Sequence, residues 1–126
     1  MTSPFRRVAA AAVAGALLFV PAASHGAPTR VRALAGDSGF QFSPAQTSIV
    51  KGATVKWVES SGTAHRIAFY KKPAAVSGFR LSPNGSAKRT FKKVGIYKYR
   101  CTIAPHSTLT DGVCTGMCGV IRVTRP

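Results

Sequence analysis

The chain has 126 residues, and its 18 lysine and arginine residues face only three aspartate and glutamate residues, a formal net charge of +15. This length predicts one domain. So few carboxylates, with no nucleophile–base pair beside them, argue against a catalytic site, and we expect that the protein is not an enzyme.

The first 26 residues have the layout of a secretory signal peptide. Arg6 and Arg7 precede an uncharged run of thirteen residues, 8–20, and small residues follow it. A membrane-spanning helix needs about 20 residues, so this run is too short for one. We expect cleavage between residues 22 and 27. One domain then remains over residues 27–126, with 16 basic and three acidic side chains and a net charge of +13.

Export and positive charge together limit the classes of molecule that we expect this protein to bind. An exported protein, periplasmic or extracellular, rarely meets nucleic acid, so we expect no nucleic-acid binding despite the positive charge. A field of this sign favours acidic proteins or the anionic surface of the cell envelope. Lysine pairs also protect exposed strand edges from pairing with other chains, so the charge alone identifies no binding site.

Short alternations of apolar and polar residues recur after residue 28, and no long segment there has helical periodicity. The clearest alternation places Val55, Trp57 and Glu59 on one face of a strand. Seven or eight short strands at such spacing predict an all-β sandwich or small barrel. The predicted strands cover residues 31–34, 40–42, 48–50, 53–59, 65–70, 86–91, 95–101 and 120–124, and residues 71–82 are expected to be irregular.

Soft donor atoms concentrate near the end of the chain. His65 opens a predicted strand, Cys101 closes another, and His106 and Met117 lie in the loop before the last strand. The ends of strands that are distant in sequence meet at one end of an antiparallel sandwich. Two histidines, one cysteine and a weak thioether are the ligands of blue copper sites. Three cysteines would leave one thiol unpaired in an oxidising compartment, and a metal ligand explains that thiol.

Three segments resemble the cupredoxins, the blue copper proteins of the plastocyanin, amicyanin and azurin kind. FQFSPAQTSIVKGATVKWVESSGTAHRIAF is similar to the first half of that family, which ends at the first ligand histidine. LSPNGSAKRTFKKVGIYKYRC is similar to the segment that ends in the ligand cysteine, and GMCGVIRV to the ending that carries the axial methionine. The resemblance covers nearly all of the chain after the signal peptide.

The resemblance implies a Greek-key β-sandwich that holds one type 1 copper ion. His65, Cys101 and His106 match the equatorial ligands of the family, and Met117 matches the axial ligand. The implied function is that of a one-electron carrier, which we expect to be a monomer with an acidic redox protein as its partner. Two alternatives are a copper carrier or storage module without electron transfer, and a metal-free cationic sandwich that binds anionic envelope surfaces.

Two features depart from the family pattern. Ten residues separate His106 from Met117, more than the family usually has. Arg66 stands where many members have an asparagine that ties the two ligand loops together, so the resemblance does not extend to that tie. A disulfide between Cys114 and Cys118 would close this enlarged loop and leave Cys101 as a ligand, and the spacing of the two allows it if the backbone turns. In the metal-free alternative Cys101 pairs with one of the other two cysteines. Met117 either binds the metal or only packs in the core.

Overall fold

The computed structural model of the protein describes residues 26–126, and in this part of the chain all regular structure is β. The predicted signal peptide and most of its possible cleavage points lie outside the described residues. No helix among the described residues is long and apolar enough to cross a membrane. The strands are β1 (Thr29–Gly36), β2 (Gly39–Ser43), β3 (Gln46–Val50), β4 (Thr54–Glu59), β5 (His65–Lys71), β6 (Phe79–Leu81), β7 (Ser86–Thr90), β8 (Gly95–Cys101), β9 (Ser107–Thr110), β10 (Val113–Gly116) and β11 (Cys118–Thr124).

The strands form two main sheets and one hairpin. A four-stranded sheet has the order β2-β1-β4-β7, and a five-stranded sheet has the order β3-β11-β8-β5-β6. Among the described strands, β9 and β10 pair with each other and with no third strand. The β1–β4 and β3–β11 pairs are parallel, and every other pair of the described strands is antiparallel. The all-β sandwich predicted from the alternating pattern is confirmed.

The core lies between the two sheets and is rich in aromatic side chains. Along β4, Val55, Trp57 and Glu59 are buried on one face, as their alternation predicts. Trp57 makes an edge-on contact with Tyr99 of the opposite sheet at 5.4 Å between ring centroids, a favoured geometry for aromatic pairs. The other large buried side chains include Phe42, Ile67, Phe69, Leu81, Phe91, Tyr97 and Ile121.

The structure has eleven strands where the sequence predicts seven or eight, and the three additional strands are β6, β9 and β10. Strand β6 lies inside the segment expected to be irregular. Its sequence FRL does alternate, but Pro73, Gly78 and Pro83 in and beside this segment indicate turns instead. Most side chains of the β9–β10 hairpin are exposed, so it has no apolar period to detect. Its turn residues Asp111 (φ 52°) and Gly112 (φ 76°) both have positive φ. Asp-Gly is a strong hairpin signal, and the sequence analysis did not use it.

Strands of both sheets terminate together at one end of the sandwich, which we call the donor end. Strand β4 ends there at Glu59, β5 begins at His65, β8 ends at Cys101 and β11 begins at Cys118. The register supports this arrangement, since Cys101 lies opposite Ile67 in β5, two residues from His65.

The opposite end of the sandwich, which we call the far end, is formed by the β3–β4 turn, the β7–β8 loop and the residues that follow β11. Two backbone hydrogen bonds join these segments. The N–H of Lys51 donates to the carbonyl of Thr124 at 2.8 Å, and the N–H of Gly52 donates to the carbonyl of Phe91 at 2.7 Å. The turns of the far end therefore have fixed positions relative to one another.

Candidate metal centre

Three of the predicted donors come together at the donor end. The ligand atoms of His65, Cys101 and His106 all lie within 4.8 Å of one another. The two histidine Nδ1 atoms are 3.2 Å apart, and the Cys101 sulfur is 3.7 Å from Nδ1 of His65 and 3.3 Å from Nδ1 of His106. His65 and Cys101 are fully buried, and His106 is partly exposed.

This donor set fits copper. The donor atoms of His65, Cys101 and His106 face one another at short distances and need a proton or a cation between them, because polar groups shielded from water are costly without a partner. A thiolate and two imidazole nitrogens are the characteristic protein ligands of a blue copper ion. The site therefore matches copper in both the type and the number of its equatorial donors.

Ser61 and Glu59 fix the orientation of the His65 ring. The Ser61 hydroxyl donates a hydrogen bond to Oε1 of Glu59, so it accepts one from Nε2–H of His65, 2.9 Å away. This assigns the proton to Nε2 and leaves the lone pair of Nδ1 free to face the other donors. Partners of this kind orient histidine ligands in metal sites.

The Glu59 carboxylate is buried but well hydrogen-bonded. It accepts from the Ser61 hydroxyl and backbone N–H, from the Gly62 N–H at 3.0 Å and from the Asn84 N–H at 2.9 Å. Burial alone would raise its pKa, but these hydrogen bonds outweigh burial and lower the pKa to about 2. Glu59 is therefore an anion that ties the end of β4 to the segment before His65.

The surroundings of His65 keep its ring neutral. Burial lowers its pKa first, and the neighbouring His106 lowers it further, against the opposing effect of Glu59. A neutral imidazole is the form that binds a metal ion.

Neither Ser61 nor Glu59 was predicted as a site residue. The available signal was an acidic residue on the apolar face of β4, six positions before a predicted ligand.

Backbone hydrogen bonds join the segments that carry the donors. The Thr102 N–H donates to the carbonyl of Arg66 at 2.8 Å. The arginine at this position therefore does not break the link between the two ligand segments, because the link uses its main chain. The Met117 N–H donates to the His106 carbonyl at 2.8 Å, and the Cys101 N–H donates to the Met117 carbonyl at 3.1 Å.

Met117 thus lies directly between two donor segments, and its side chain is fully buried.

An aromatic side chain covers the donors from the other sheet. The Phe40 ring lies 5.1 Å from the ring of His65 and 4.4 Å from the ring of His106, between centroids. Packing and backbone contacts therefore hold both histidine rings in place without help from solvent.

The enlarged loop before β11 is braced by a disulfide. Cys114 in β10 and Cys118 at the start of β11 are bonded, with an S–S distance of 1.99 Å. Cys101 is a free, buried cysteine. The metal-free alternative, in which Cys101 pairs with one of the other two cysteines, is not the arrangement in this structure. The ten residues between His106 and Met117 form a closed hairpin.

Removing this disulfide should lower stability and leave the donors in place. For C114S/C118S we expect the free energy of unfolding to fall by about 2 kcal/mol, because the bridge closes only a short loop. The visible spectrum of the copper-loaded protein should keep its intensity. Denaturant unfolding and absorbance measure these two effects. A thiol titration of the unreduced, unfolded wild type should find one thiol, and three free thiols would contradict this pairing.

Comparison with known proteins gives the family. Residues 29–124 match the model of the copper-binding proteins of the plastocyanin/azurin family. A pseudoazurin from Sinorhizobium meliltoi is 30% identical, over 79% of this chain and 75% of that chain, with a TM-score of 0.58. No curated protein matches this chain.

Two further solved structures share the fold at lower identity. A purple cupredoxin from Nitrosopumilus maritimus is 20% identical over 76% of this chain and 99% of that chain, with a TM-score of 0.59. A copper-containing nitrite reductase from Thermus scotoductus SA-01 is 24% identical over 79% of this chain but only 23% of that chain, with a TM-score of 0.60. The chain belongs to the plastocyanin/azurin family of copper-binding proteins, and its cofactor is copper.

Proposed function

We propose that this protein is an exported type 1 copper protein that carries single electrons and is not an enzyme. The convergence of two Nδ1 atoms and one sulfur in a buried site at the donor end carries this proposal. His65, Cys101 and His106 would hold the metal, with Met117 as the axial ligand. When bound, copper supplies the one-electron change between Cu(II) and Cu(I).

The chain contributes rigidity to this function. Ser61 holds the ring of His65 through Nε2, Cys101 is the last residue of a central strand, and Phe40 packs against both histidines. Side chains held by packing and hydrogen bonds keep their positions when the charge of the site changes. The donor side chains would then move little during each electron transfer, and a small rearrangement of this kind keeps the transfer fast.

His106 would provide the route by which an electron passes between the metal site and the protein surface. Among the three donors it alone is partly exposed, beside a surface cavity of about 310 Å³ whose lining includes Phe40, Pro105 and Gly116. An electron would leave or enter through its imidazole ring. A partner that docks here needs only a small contact area, as is typical of transient redox encounters.

We propose an acidic redox protein as this partner, and a monomeric state for the protein itself. Arg66 and Arg80 lie directly opposite each other on β5 and β6, and both line a groove of about 480 Å³ that also contacts Thr102. Each of Arg66 and Thr102 directly follows a donor residue in the sequence. Carboxylates of a partner would bind these guanidinium groups close to the metal centre.

Repeated redox cycling distinguishes an electron carrier from a copper carrier or storage module. The copper-loaded protein is reduced with ascorbate and reoxidised several times in the presence of a Cu(I) chelator. Because the donors are buried and the loop is closed by a disulfide, we expect the protein to retain its copper through every cycle. Rapid loss of copper to the chelator would favour copper handling and contradict the electron-carrier proposal.

The role of Met117 is tested by replacing it with leucine, which keeps the volume and removes the sulfur. If Met117 is the axial ligand, the reduction potential should rise, because the Cu(II) form loses a donor. Voltammetry of the loaded protein measures this change. Ile121→Leu, at another fully buried position, is the matched control and should leave the potential unchanged. Equal potentials for both variants would mean that Met117 only packs.

A further inference from the structure

None of the acidic residues of this protein belongs to the segments that form the far end. Asp37 lies in the β1–β2 turn and Glu59 ends β4, both at the donor end, and Asp111 lies in the turn of the β9–β10 hairpin, which connects His106 to Met117. The chain contains no other aspartate or glutamate. The far end therefore carries no acidic side chain to offset its lysines and arginines.

Four cations meet at the far end. Lys51, Lys92, Lys93 and Arg125 line a single open cavity of about 600 Å³, although they come from three different connections of the fold. We call these four residues the basic cluster. The backbone hydrogen bonds of Lys51 and Gly52 described above fix the connections that carry them.

Lys72 extends the basic surface of the far end. Pro73 lies against Gly95 at the start of β8, which brings the preceding lysine to the same end of the sandwich. No member of the basic cluster forms an ion pair with a carboxylate within the described residues. The basic cluster is therefore available to an external anion.

Two exposed aliphatic side chains accompany these charges. Val50 is 41% exposed and Val94 is 38% exposed. Val50 directly precedes Lys51, and Val94 directly follows Lys93, so each valine is adjacent to a member of the basic cluster. Lysines around a few exposed apolar side chains are the composition of surfaces that bind anionic membranes.

We propose that the far end binds the headgroups of anionic phospholipids, so that the protein attaches reversibly to a membrane surface with its donor end facing away. Lysine predominates in the basic cluster, and its point charge on a flexible stem needs no fixed partner geometry, which suits headgroups that move in a fluid membrane. Turn tips also project outward and can approach a planar surface together. In this orientation His106 stays open to a soluble partner.

This attachment does not depend on copper or on electron transfer. The domain of residues 27–126, which contains all the described strands, should bind vesicles of phosphatidylglycerol and phosphatidylcholine and should not bind vesicles of phosphatidylcholine alone. Cosedimentation at increasing salt measures the binding. The affinity should fall steeply with salt, because screening weakens interactions between exposed charges.

Two variants that each lose three positive charges test which end of the sandwich binds the membrane. K51Q/K92Q/K93Q removes three charges from the far end, and R32Q/R66Q/R80Q removes three exposed charges from the donor half. Each lysine near an anionic membrane contributes roughly a fivefold gain in affinity, so the far-end variant should bind on the order of 100-fold more weakly. The donor-half variant should lose less than about tenfold, because its charges face away from the membrane.

Three results would overturn this proposal. Equal losses in both variants would show that only the net charge matters, and absence of binding by the wild type would show that the far end is not a membrane surface. Tighter binding to polyglutamate than to anionic vesicles, with the same dependence on Lys51, Lys92 and Lys93, would identify an acidic protein as the partner instead. Thermal unfolding and the copper spectrum of each variant show whether it is folded.

Discussion

Replacing Cys101 by serine should abolish the visible colour of the copper-loaded protein. The intense absorption of a blue copper site arises from charge transfer between the thiolate and Cu(II), and a serine hydroxyl cannot replace that donor. Cys101 is the one free cysteine of the described residues, and its sulfur lies 3.7 Å and 3.3 Å from the two histidine nitrogens. We therefore expect complete loss of the band and a copper affinity lower by more than about 100-fold.

The control for this experiment is C114S/C118S, which removes the other two sulfurs and should keep the band. Both variants are compared with the wild type by visible absorption and by calorimetric titration with Cu(II). If C101S kept an intense band, or if the double variant lost it, the copper thiolate would have to come from the loop cysteines. That result would contradict the assignment of Cys101 as the ligand.

The second large effect is expected at Glu59, a residue that binds no metal. In Glu59→Gln, one carboxylate oxygen becomes an amide NH₂ that faces backbone donors, since the N–H groups of Ser61, Gly62 and Asn84 all point at this side chain. At least one buried donor then loses its acceptor, and the remaining bonds lose their charge assistance. We expect the free energy of unfolding to fall by about 2–4 kcal/mol. Denaturant unfolding of the copper-free protein measures this loss.

Asp111→Asn is the matched control for Glu59→Gln, because it removes the same charge at an exposed turn. It should change the free energy of unfolding by less than about 0.5 kcal/mol. Glu59→Gln should also weaken copper binding by roughly tenfold, since Ser61 would no longer be oriented to fix the Nε2–H of His65. Equal stability of the two variants would show that the hydrogen bonds of Glu59 have no net effect on folding.

The sequence predicts the donor residues of this site better than it predicts the residues that orient them by hydrogen bonds. His65 and Cys101 were predicted from their chemistry and their positions at strand ends, and His106 from its chemistry and its place in the following loop. The structure brings all three together at one point. Ser61 was not predicted, because a serine in a loop has no pattern that marks it as a partner of a histidine. Glu59 did have such a signal, because a carboxylate on the apolar face of a strand requires partners inside the protein.

The strands that were missed have two different causes. Prediction from alternation requires one buried and one exposed face over several residues. Most side chains of the β9–β10 hairpin are exposed, so no such pattern exists there. Strand β6 does alternate, but Gly78 and Pro83 beside it favour a turn. The hairpin signal that was overlooked is the Asp111-Gly112 dipeptide, since turn chemistry does not depend on burial.

The position of Arg66 shows a different limit of sequence reasoning. Arginine in place of the usual asparagine of the family casts doubt on the link between the two ligand segments. In the structure that link is a backbone hydrogen bond from Thr102 to the carbonyl of Arg66, supported by the Thr102 hydroxyl at 3.3 Å. A main-chain contact of this kind is independent of residue type, so a comparison of side chains could not have predicted it.

The central claim is that two histidines and Cys101 together hold one copper ion. The most direct test is the copper K-edge X-ray absorption spectrum of the wild-type protein loaded with one equivalent of copper. This account predicts one short copper–sulfur distance and two copper–nitrogen distances, with the copper–sulfur distance absent in Cys101→Ser. A spectrum of nitrogen and oxygen ligands alone, identical in the wild type and in the variant, would contradict it.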